Sequence, residues 1–188
     1  MLSATPTPGT GDAVTRRIGG RYVIDTTRTS VDIAMRYMGL PVGGTFERVV
    51  GTITVPDDLR TASVGVTLDA ASLHRVRRRG LTWAGGLIDA ATHPDVRFEA
   101  DRMEPILESF VTHDGDRPLW ALVGRLTLCG TTRDVRVAVG AMRATADDGL
   151  VFTGSTTVRC SAFGVSRRGG LLGDTVRVRI AGAATRAA

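Results

Sequence analysis

The chain has 188 residues, enough for one domain with a hydrophobic core, and 43% of them are hydrophobic. Its net charge of +5 comes from 24 arginines without any lysine, and its two tryptophans and two tyrosines are too few to line a track that stacks nucleic-acid bases. No continuous apolar stretch follows the first charged residues, so the sequence predicts neither a secretory signal nor a membrane-spanning helix, and we expect a cytoplasmic protein.

The first segment, residues 1–19, is rich in Thr, Pro and Gly and has no apolar stripe. Such a composition is typical of a flexible tail. No linker of Ser, Gly and Pro divides the rest of the chain. We therefore predict a flexible tail over residues 1–19 and a single β-barrel domain over residues 20–188.

From Tyr22 almost to the C-terminus, short segments in which every second residue is apolar are separated by Gly, Asp and Pro. Strict alternation is typical of antiparallel strands with one buried face, because parallel strands covered on both sides show unbroken apolar runs. The pattern predicts an all-β fold, an antiparallel barrel or sandwich with one long inner face. The clearest segments are SVDIAMRYM, ASVGVTLDA, PLWALVGRLTL, DVRVAVGAM, LVFTGSTTVRC and DTVRVRIAG.

Between residues 79 and 93 the alternation stops, and apolar residues fall at helical spacing. This spacing predicts one short helix over Leu81–Ala91, at a barrel end or side, with Pro94 as the stop signal. Two turn sequences, His113 to Asp116 and Asp147 to Gly149, tolerate positive φ and separate strand candidates. We predict a β-hairpin at each.

No residue pattern predicts catalysis. The three histidines stand in separate segments without a paired nucleophile, and strand-end aspartates such as Asp25, Asp58 and Asp89 are interpreted as turn caps. The alternation places Cys160 on the inward face of its strand, whereas Cys129 is out of phase with the inward residues Leu126 and Leu128. This favours two reduced thiols that fill space over a disulfide bond, a redox site or a metal site. We predict a protein that is not an enzyme and that has no cofactor and no metal site.

The inner face decides the function, because the interior of a small barrel is either packed core or ligand cavity. Two glycines, Gly124 and Gly154, lie in phase with inward apolar residues, where glycine marks either a kink or clearance for a ligand. The candidate lumen residues are Ile33, Met35, Phe46, Val64, Val66, Leu68, Phe98, Leu122, Gly124, Leu126, Phe152, Gly154, Val158 and Phe163.

An arginine cluster stands just before the predicted helix, at Arg75 and Arg77 to Arg79. Guanidinium groups bind phosphate bidentately. Arg77, Arg78 and Arg79 are therefore candidate contacts for an anionic head group, with a solvated loop as the alternative.

Five stretches follow one another between about Tyr22 and Ala184: YVIDTTRTSVDIAMRYMGLPVGGTFERVVGTI, LIDAATHPDVRFEA, GRLTLCGTTRDVRV, VRCSAFGV and GDTVRVRIAGAA. In their order and spacing the chain resembles the YceI-like, polyisoprenoid-binding family. The resemblance implies a lipocalin-like antiparallel barrel with a helix at its side and an apolar tunnel for a long isoprenoid or other lipid-like chain. Fold similarity alone does not fix function.

Several polar positions depart from the family pattern. Where the family usually has His-Ser this chain has Thr29-Ser30, and a later His of the same strand corresponds to Tyr37. The family's Arg-Asp-x-His-Leu corresponds to residues 78–82, without the carboxylate and imidazole, and its Arg-Ser-Asp-Phe-Gly corresponds to residues 160–164, without both charges. If these groups hold the usual head group, this chain's ligand has a different head or none.

Two hypotheses remain. The first is a carrier that holds an apolar chain in its lumen without chemistry, and the small Val, Leu and Ile fillers favour it. The second is a structural or interaction barrel whose lumen is filled and has lost ligand binding. We expect an apolar small molecule such as a polyisoprenoid or other lipid as the partner, neither nucleic acid nor stable membrane insertion, and we leave a homodimer open.

Overall fold

Antiparallel strands dominate the computed structural model, which describes residues 18–75, 88–106, 120–165 and 173–187. Each of the six clearest alternating segments is a strand. The strands are β1 (Gly20–Ile24), β2 (Ser30–Tyr37), β3 (Leu40–Phe46), β4 (Val49–Val55), β5 (Ser63–Asp69), β6 (Leu73–Arg75), β7 (Asp95–Pro105), β8 (Trp120–Leu128), β9 (Thr131–Ala144), β10 (Leu150–Arg159) and β11 (Thr175–Arg186).

Eight of these strands close into a barrel. Their neighbours run in the order β1, β4, β5, β7, β8, β9, β10 and β11, and β11 pairs again with β1. The remaining strands prolong the wall, because β2 pairs with β11 and β3, and β3 pairs with β6. Closure leaves every strand of the ring paired on both sides for at least part of its length. The predicted all-β antiparallel barrel is confirmed.

Three short breaks cross the barrel wall side by side. They are the 3-10 turn Thr26–Arg28 between β1 and β2, the pair Glu47 and Arg48 between β3 and β4, and the 3-10 turn Ala70–Ser72 between β5 and β6. The breaks are joined to one another, since the Arg48 backbone N–H donates to Ser72 Oγ at 3.1 Å and Glu47 N–H to the Ser72 carbonyl at 3.4 Å. Hydrogen bonds thus connect neighbouring strands where the regular ladder is interrupted at these two breaks.

Aspartates cap the turns at strand ends. Asp25, Asp58 and Asp89 each accept a hydrogen bond from the backbone N–H two residues later, at 2.9, 3.0 and 3.2 Å. Hydrogen bonds from the hydroxyl and the backbone of Thr27 hold the pKa of the Asp25 carboxyl below its ordinary value. These carboxylates are fully engaged in local turn geometry, as their positions at strand ends predicted.

One of the two predicted hairpin turns is confirmed. β9 and β10 are antiparallel, Asp148 has φ 57°, and the Thr145 N–H donates to the Gly149 carbonyl at 2.9 Å. β7 and β8 are also antiparallel neighbours. The turn sequence predicted between them, His113 to Asp116, lies outside the described residues.

The predicted helix over Leu81–Ala91 is unconfirmed. Residues 81–87 lie outside the described part of the chain. Its last residues, Ile88 to Ala91, are a bend and a turn, and the following His93 N–H closes that turn on the Asp89 carbonyl at 2.7 Å. The Asp89 side chain accepts hydrogen bonds from the backbone N–H groups of Ala91 and Thr92. In a continuing helix these N–H groups would donate to helix carbonyls instead.

The ladder between β9 and β10 is interrupted over part of its length. Backbone pairing runs from Leu150 opposite Ala144 to Ser155 opposite Ala138, with a bulge beside Thr153, and then stops although both strands continue. Residues 131–137 and 156–159, which we call the ladder gap, face each other without backbone pairing. Two side-chain bonds cross here: Thr156 Oγ1 donates to the Arg136 carbonyl at 2.7 Å, and Arg133 Nε to the Ala162 carbonyl at 3.2 Å.

One barrel end is closed by packed side chains around Tyr22. Tyr22 and Leu150 are 0% exposed, and Ile18 is 1% exposed. The Tyr22 hydroxyl donates to the Ile18 carbonyl at 2.9 Å, and the Arg186 guanidinium lies 5.3 Å from the centre of the Tyr22 ring. Ile18 falls within the predicted tail, of which residues 1–17 lie outside the described residues. The packed domain therefore begins at or before Ile18.

We expect removal of residues 1–19 to lower the melting temperature by about 5–10 °C, whereas removal of residues 1–17 leaves it nearly unchanged. Loss of a buried Ile side chain destabilises by about 2–4 kcal/mol, which corresponds to such a shift in a domain of this size. Thermal unfolding followed by circular dichroism measures it. Ile18→Ala should reproduce most of the loss, and Val23→Ala, at a site 46% exposed, should not. Equal melting temperatures for both truncations would contradict the anchoring role of Ile18.

Candidate functional site

An apolar cavity of about 200 Å³ occupies the barrel interior. Apolar cavities of about this size stay dry and accept small hydrocarbon ligands. All eight strands of the ring contribute inward side chains to its lining, together with Ile88 from the turn before β7. Ile88 is also packed against the buried core. The region in which the short helix was predicted thus supplies at least one residue of the cavity wall.

Most of the predicted lumen residues line this cavity. The alternation of each strand fixes which face is turned inward, and the barrel brings those faces together from segments far apart in sequence. The predicted residues found in the lining are Ile33, Phe46, Val64, Val66, Leu68, Phe98, Leu122, Leu126, Phe152, Gly154 and Val158.

Three predicted lumen residues lie elsewhere. Met35 is buried against Cys160 and Val176, two residues of the lining, but does not itself line the cavity. Phe163 is 3% exposed in the 3-10 turn Cys160–Phe163 that follows β10, so it is a core residue outside the strands. Gly124 is absent from the lining and lies against β7 instead.

The two inward glycines have different surroundings. A Cβ on Gly124 would lie 2.2 Å from the Glu99 carbonyl oxygen and 2.8 Å from Ala100 Cα, beside a register shift between Ala100 and Arg102. A Cβ on Gly154 would lie 3.3 Å from the nearest atom, the Ala138 carbonyl oxygen. Gly124 therefore permits close approach of two strands, whereas at Gly154, on the cavity wall, a Cβ would require a shift of only a few tenths of an ångström.

The lining also contains residues that the prediction omitted. Most continue the same inward alternation, and several lie on β1 and β4, whose segments were not among the clearest. The additional lining residues are Ile24, Thr29, Val31, Val49, Ile53, Val55, Ala62, Ile88, Val96, Met103, Leu128, Val135, Val137, Val139, Met142, Leu150, Thr153, Thr156, Cys160, Val165, Val176, Val178 and Ile180.

The hydroxyl groups of the lining are already hydrogen-bonded to backbone. Thr29 Oγ1 donates to the Ala183 carbonyl at 3.2 Å, Thr153 Oγ1 accepts from the Ala141 N–H at 2.8 Å, and Thr156 bonds across the ladder gap. Within the described residues, no buried side-chain nitrogen or oxygen lacks a hydrogen-bond partner. From the part of the chain described, the cavity therefore offers a ligand mainly apolar contact.

Neither cysteine has the surroundings of a reactive thiol. Cys160 is 5% exposed and lines the cavity, and Cys129 lies in the β8–β9 turn; neither forms a disulfide. Burial, with a smaller contribution from the Asp89 carboxylate, raises the pKa of the Cys129 thiol. A raised pKa disfavours the thiolate, which is the nucleophile and metal ligand.

Other predicted features have no described counterpart at this site. Arg77, Arg78 and Arg79 lie outside the described residues. Three or more side chains able to hold a metal ion do not come together within the described ranges. Nor does any described helix have the length and apolar character needed to cross a bilayer.

Comparison with known proteins points to one family. The model of the YceI-like domain matches residues 22–184. No curated protein sequence matches the chain.

Solved structures of three bacterial proteins resemble the fold. BcnA of Burkholderia cenocepacia is 22% identical, with 86% of this chain and 99% of that chain covered and a TM-score of 0.63. A polyisoprenoid binding domain from Saccharophagus degradans, implicated in plant cell wall breakdown, is 13% identical over 88% and 98% of the two chains, with a TM-score of 0.61. The YCEI protein of Campylobacter jejuni is 19% identical over 77% and 85%, with a TM-score of 0.57.

Proposed function

Because the chain belongs to the YceI-like family, we propose that it is a non-enzymatic binding or carrier protein that holds a long apolar chain, an isoprenoid or another lipid, in the barrel lumen. The observation that carries the proposal is the cavity of about 200 Å³ with its apolar lining. The solved polyisoprenoid binding domain of similar fold supports the same class of ligand.

The chemistry of the lining selects a hydrocarbon. Burying a methylene group is favourable by about 0.8 kcal/mol, whereas burying a polar group without a hydrogen bond costs roughly 2–7 kcal/mol. Since each threonine hydroxyl of the lining already has a backbone partner, a polar group on the buried part of a ligand finds few side-chain partners there. A ligand whose buried section is hydrocarbon therefore suits this lining best.

The cavity also argues against the second hypothesis, a barrel with a filled lumen. The proposal includes an apolar small molecule as the partner, no chemistry on the bound chain, and a cytoplasmic location. It includes no nucleic-acid partner and no stable membrane insertion, and a homodimer remains open.

Native mass spectrometry of purified protein, with organic extraction of what copurifies, tests the proposal. We expect a mass added to the protein that is released by denaturation and identified in the extract as a lipid-like chain. Stripped protein should then take up diphenylhexatriene, a hydrocarbon fluorophore, with a rise in fluorescence. Absence of both a copurifying chain and probe uptake would contradict the proposal and favour the alternative, a structural or interaction barrel with a filled lumen.

The arginine cluster yields a second, separable prediction. If Arg77, Arg78 and Arg79 bind a phosphate-bearing head, changing all three to Gln weakens binding of a prenyl diphosphate about tenfold or more and spares the corresponding prenyl alcohol. The weakening should shrink at high salt, since exposed charge interactions are screened. Isothermal titration calorimetry with both ligands measures the difference between the two affinities. An equal loss of affinity for the diphosphate and the alcohol would favour the alternative, in which the cluster is a solvated loop.

A further inference from the structure

The tip of the β2–β3 hairpin exposes two large apolar side chains. Met38 is 63% exposed and Leu40 is 50% exposed. They flank Gly39 in a two-residue turn in which Met38 has φ 49° and Gly39 has φ 80°. The tip, residues 38–40, therefore presents methionine and leucine to solvent at the outermost point of a hairpin.

Methionine is a poor choice for this position on conformational grounds. Turns with positive φ at both central residues favour Asn-Gly, Asp-Gly or Gly-Gly, because a left-handed conformation strains other side chains. Met38 combines this strain with exposure of an apolar side chain, and neither stabilises the barrel. A residue that is unfavourable for the fold in two ways is a candidate for a role in binding rather than in stability.

A cation is held directly at the same tip. The exposed Arg36 side chain donates from Nη1 to the Gly39 carbonyl at 2.8 Å, so its guanidinium is fixed beside the turn. Several other arginines of the described residues, including Arg48 and Arg125, face carboxylates within 4.0 Å; Arg36 is in none of those ion pairs. The tip thus couples exposed apolar groups to a positive charge that forms no ion pair with the described carboxylates.

The tip follows a strand that helps to line the cavity. Along β2, Ile33 lines the cavity, Met35 is buried against other lining residues, and the turn begins three residues later. At about 3.3 Å per residue, Ile33 lies roughly 17 Å from Met38 along the strand. The tip lies beside the start of β11, where the Gly173 N–H donates to the Arg36 carbonyl at 2.7 Å, whereas Arg186 at the end of β11 lies against Tyr22.

We propose that residues 38–40 dock the protein reversibly on the surface of an anionic lipid bilayer, with Met38 and Leu40 among the upper acyl chains and Arg36 at the level of the lipid phosphates. Apolar side chains beside a cation suit this interface, where an apolar surface meets negative charge. The protein's net charge of +5 supports the attraction. The inference goes beyond the proposed function, for which such docking supplies a route between bilayer and lumen.

Cosedimentation with vesicles tests the docking surface. Wild-type protein should bind vesicles of phosphatidylcholine mixed with phosphatidylglycerol and bind pure phosphatidylcholine vesicles less. The double variant Met38→Asn, Leu40→Thr should bind the mixed vesicles about tenfold more weakly. Asparagine tolerates positive φ, so the melting temperature of the variant should be unchanged or raised.

A matched control is available on β4. Val50 is 55% exposed on the outer wall, and Val50→Thr should leave vesicle binding unchanged. The proposal is overturned if wild-type protein does not bind the mixed vesicles, if Val50→Thr weakens binding as much as the tip variant does, or if the tip variant instead abolishes a concentration-dependent dimer in sedimentation.

Probe uptake separates this inference from the proposed function. The tip variant should take up diphenylhexatriene from solution as wild type does, in the absence of vesicles. Protein that binds vesicles through the tip but takes up no probe would disprove the carrier and leave the docking surface in place. Protein that takes up probe but does not bind vesicles would disprove the docking surface and leave the carrier proposal in place.

Discussion

Replacement of Gly154 by leucine is expected to abolish uptake of diphenylhexatriene while leaving a folded β barrel. Gly154 lies on the cavity wall, where the nearest atoms to an added Cβ would be the Ala138 carbonyl oxygen at 3.3 Å, a tight contact that a small shift relieves, and two side-chain carbons at 3.5 and 3.7 Å. The rest of a leucine side chain extends into a cavity of about 200 Å³ and occupies much of it. Fluorescence titration of the probe should show a loss in affinity of at least about tenfold.

Gly154→Ala is the matched control. It adds the Cβ without filling the space beyond, so probe affinity should stay within about threefold of wild type. Circular dichroism should give the same spectrum for both variants and wild type. Normal probe binding by the leucine variant would place the binding site elsewhere, and unfolding of that variant would indicate an interior with no space to fill.

Gly124→Ala is expected to destabilise the barrel by about 3 kcal/mol, measured as a shift in the urea unfolding midpoint. The added Cβ would fall 2.2 Å from the Glu99 carbonyl oxygen and 2.7 Å from Ala100 Cβ. The first obstacle is backbone, which cannot rotate away, so β7 and β8 must separate at their register shift. Overpacking of this kind costs about 1–3 kcal/mol, and displaced ladder hydrogen bonds add to it.

Gly65→Ala on β5 supplies the comparison, because a Cβ there would have no atom within 4 Å. That variant should be as stable as wild type or slightly more so, since alanine restricts the unfolded chain. Equal stability of the two variants would mean that the close approach at Gly124 is unimportant.

The fold and most of the cavity wall could be predicted because one physical rule governs both. Alternation determines the inward face of a strand, so Ile33, Val64 and Leu126 were assigned without knowledge of their neighbours. The alternation does not predict where along the barrel axis a residue lies. Met35 obeys the rule and still does not line the cavity, because it is packed against the lining residues Cys160 and Val176.

Other features depend on contacts that no local pattern encodes. The difference between Gly124 and Gly154 is set by the distance to the neighbouring strand, which a single strand's sequence does not contain. Ile18 is one apolar residue in a polar segment, and its burial follows from the position of Tyr22 across the barrel end. Phe163 is buried by the 3-10 turn after β10, outside any alternating segment.

The ladder gap makes local stability uneven around the barrel. Elsewhere, separation of two wall strands breaks a row of backbone hydrogen bonds, whereas at the ladder gap two side-chain bonds cross, from Thr156 to the Arg136 carbonyl and from Arg133 to the Ala162 carbonyl. Transient opening requires the least free energy where the fewest bonds must break. Backbone amides beside the gap should therefore exchange with deuterium sooner than those between β10 and β11, where pairing continues from Leu150 to Arg159.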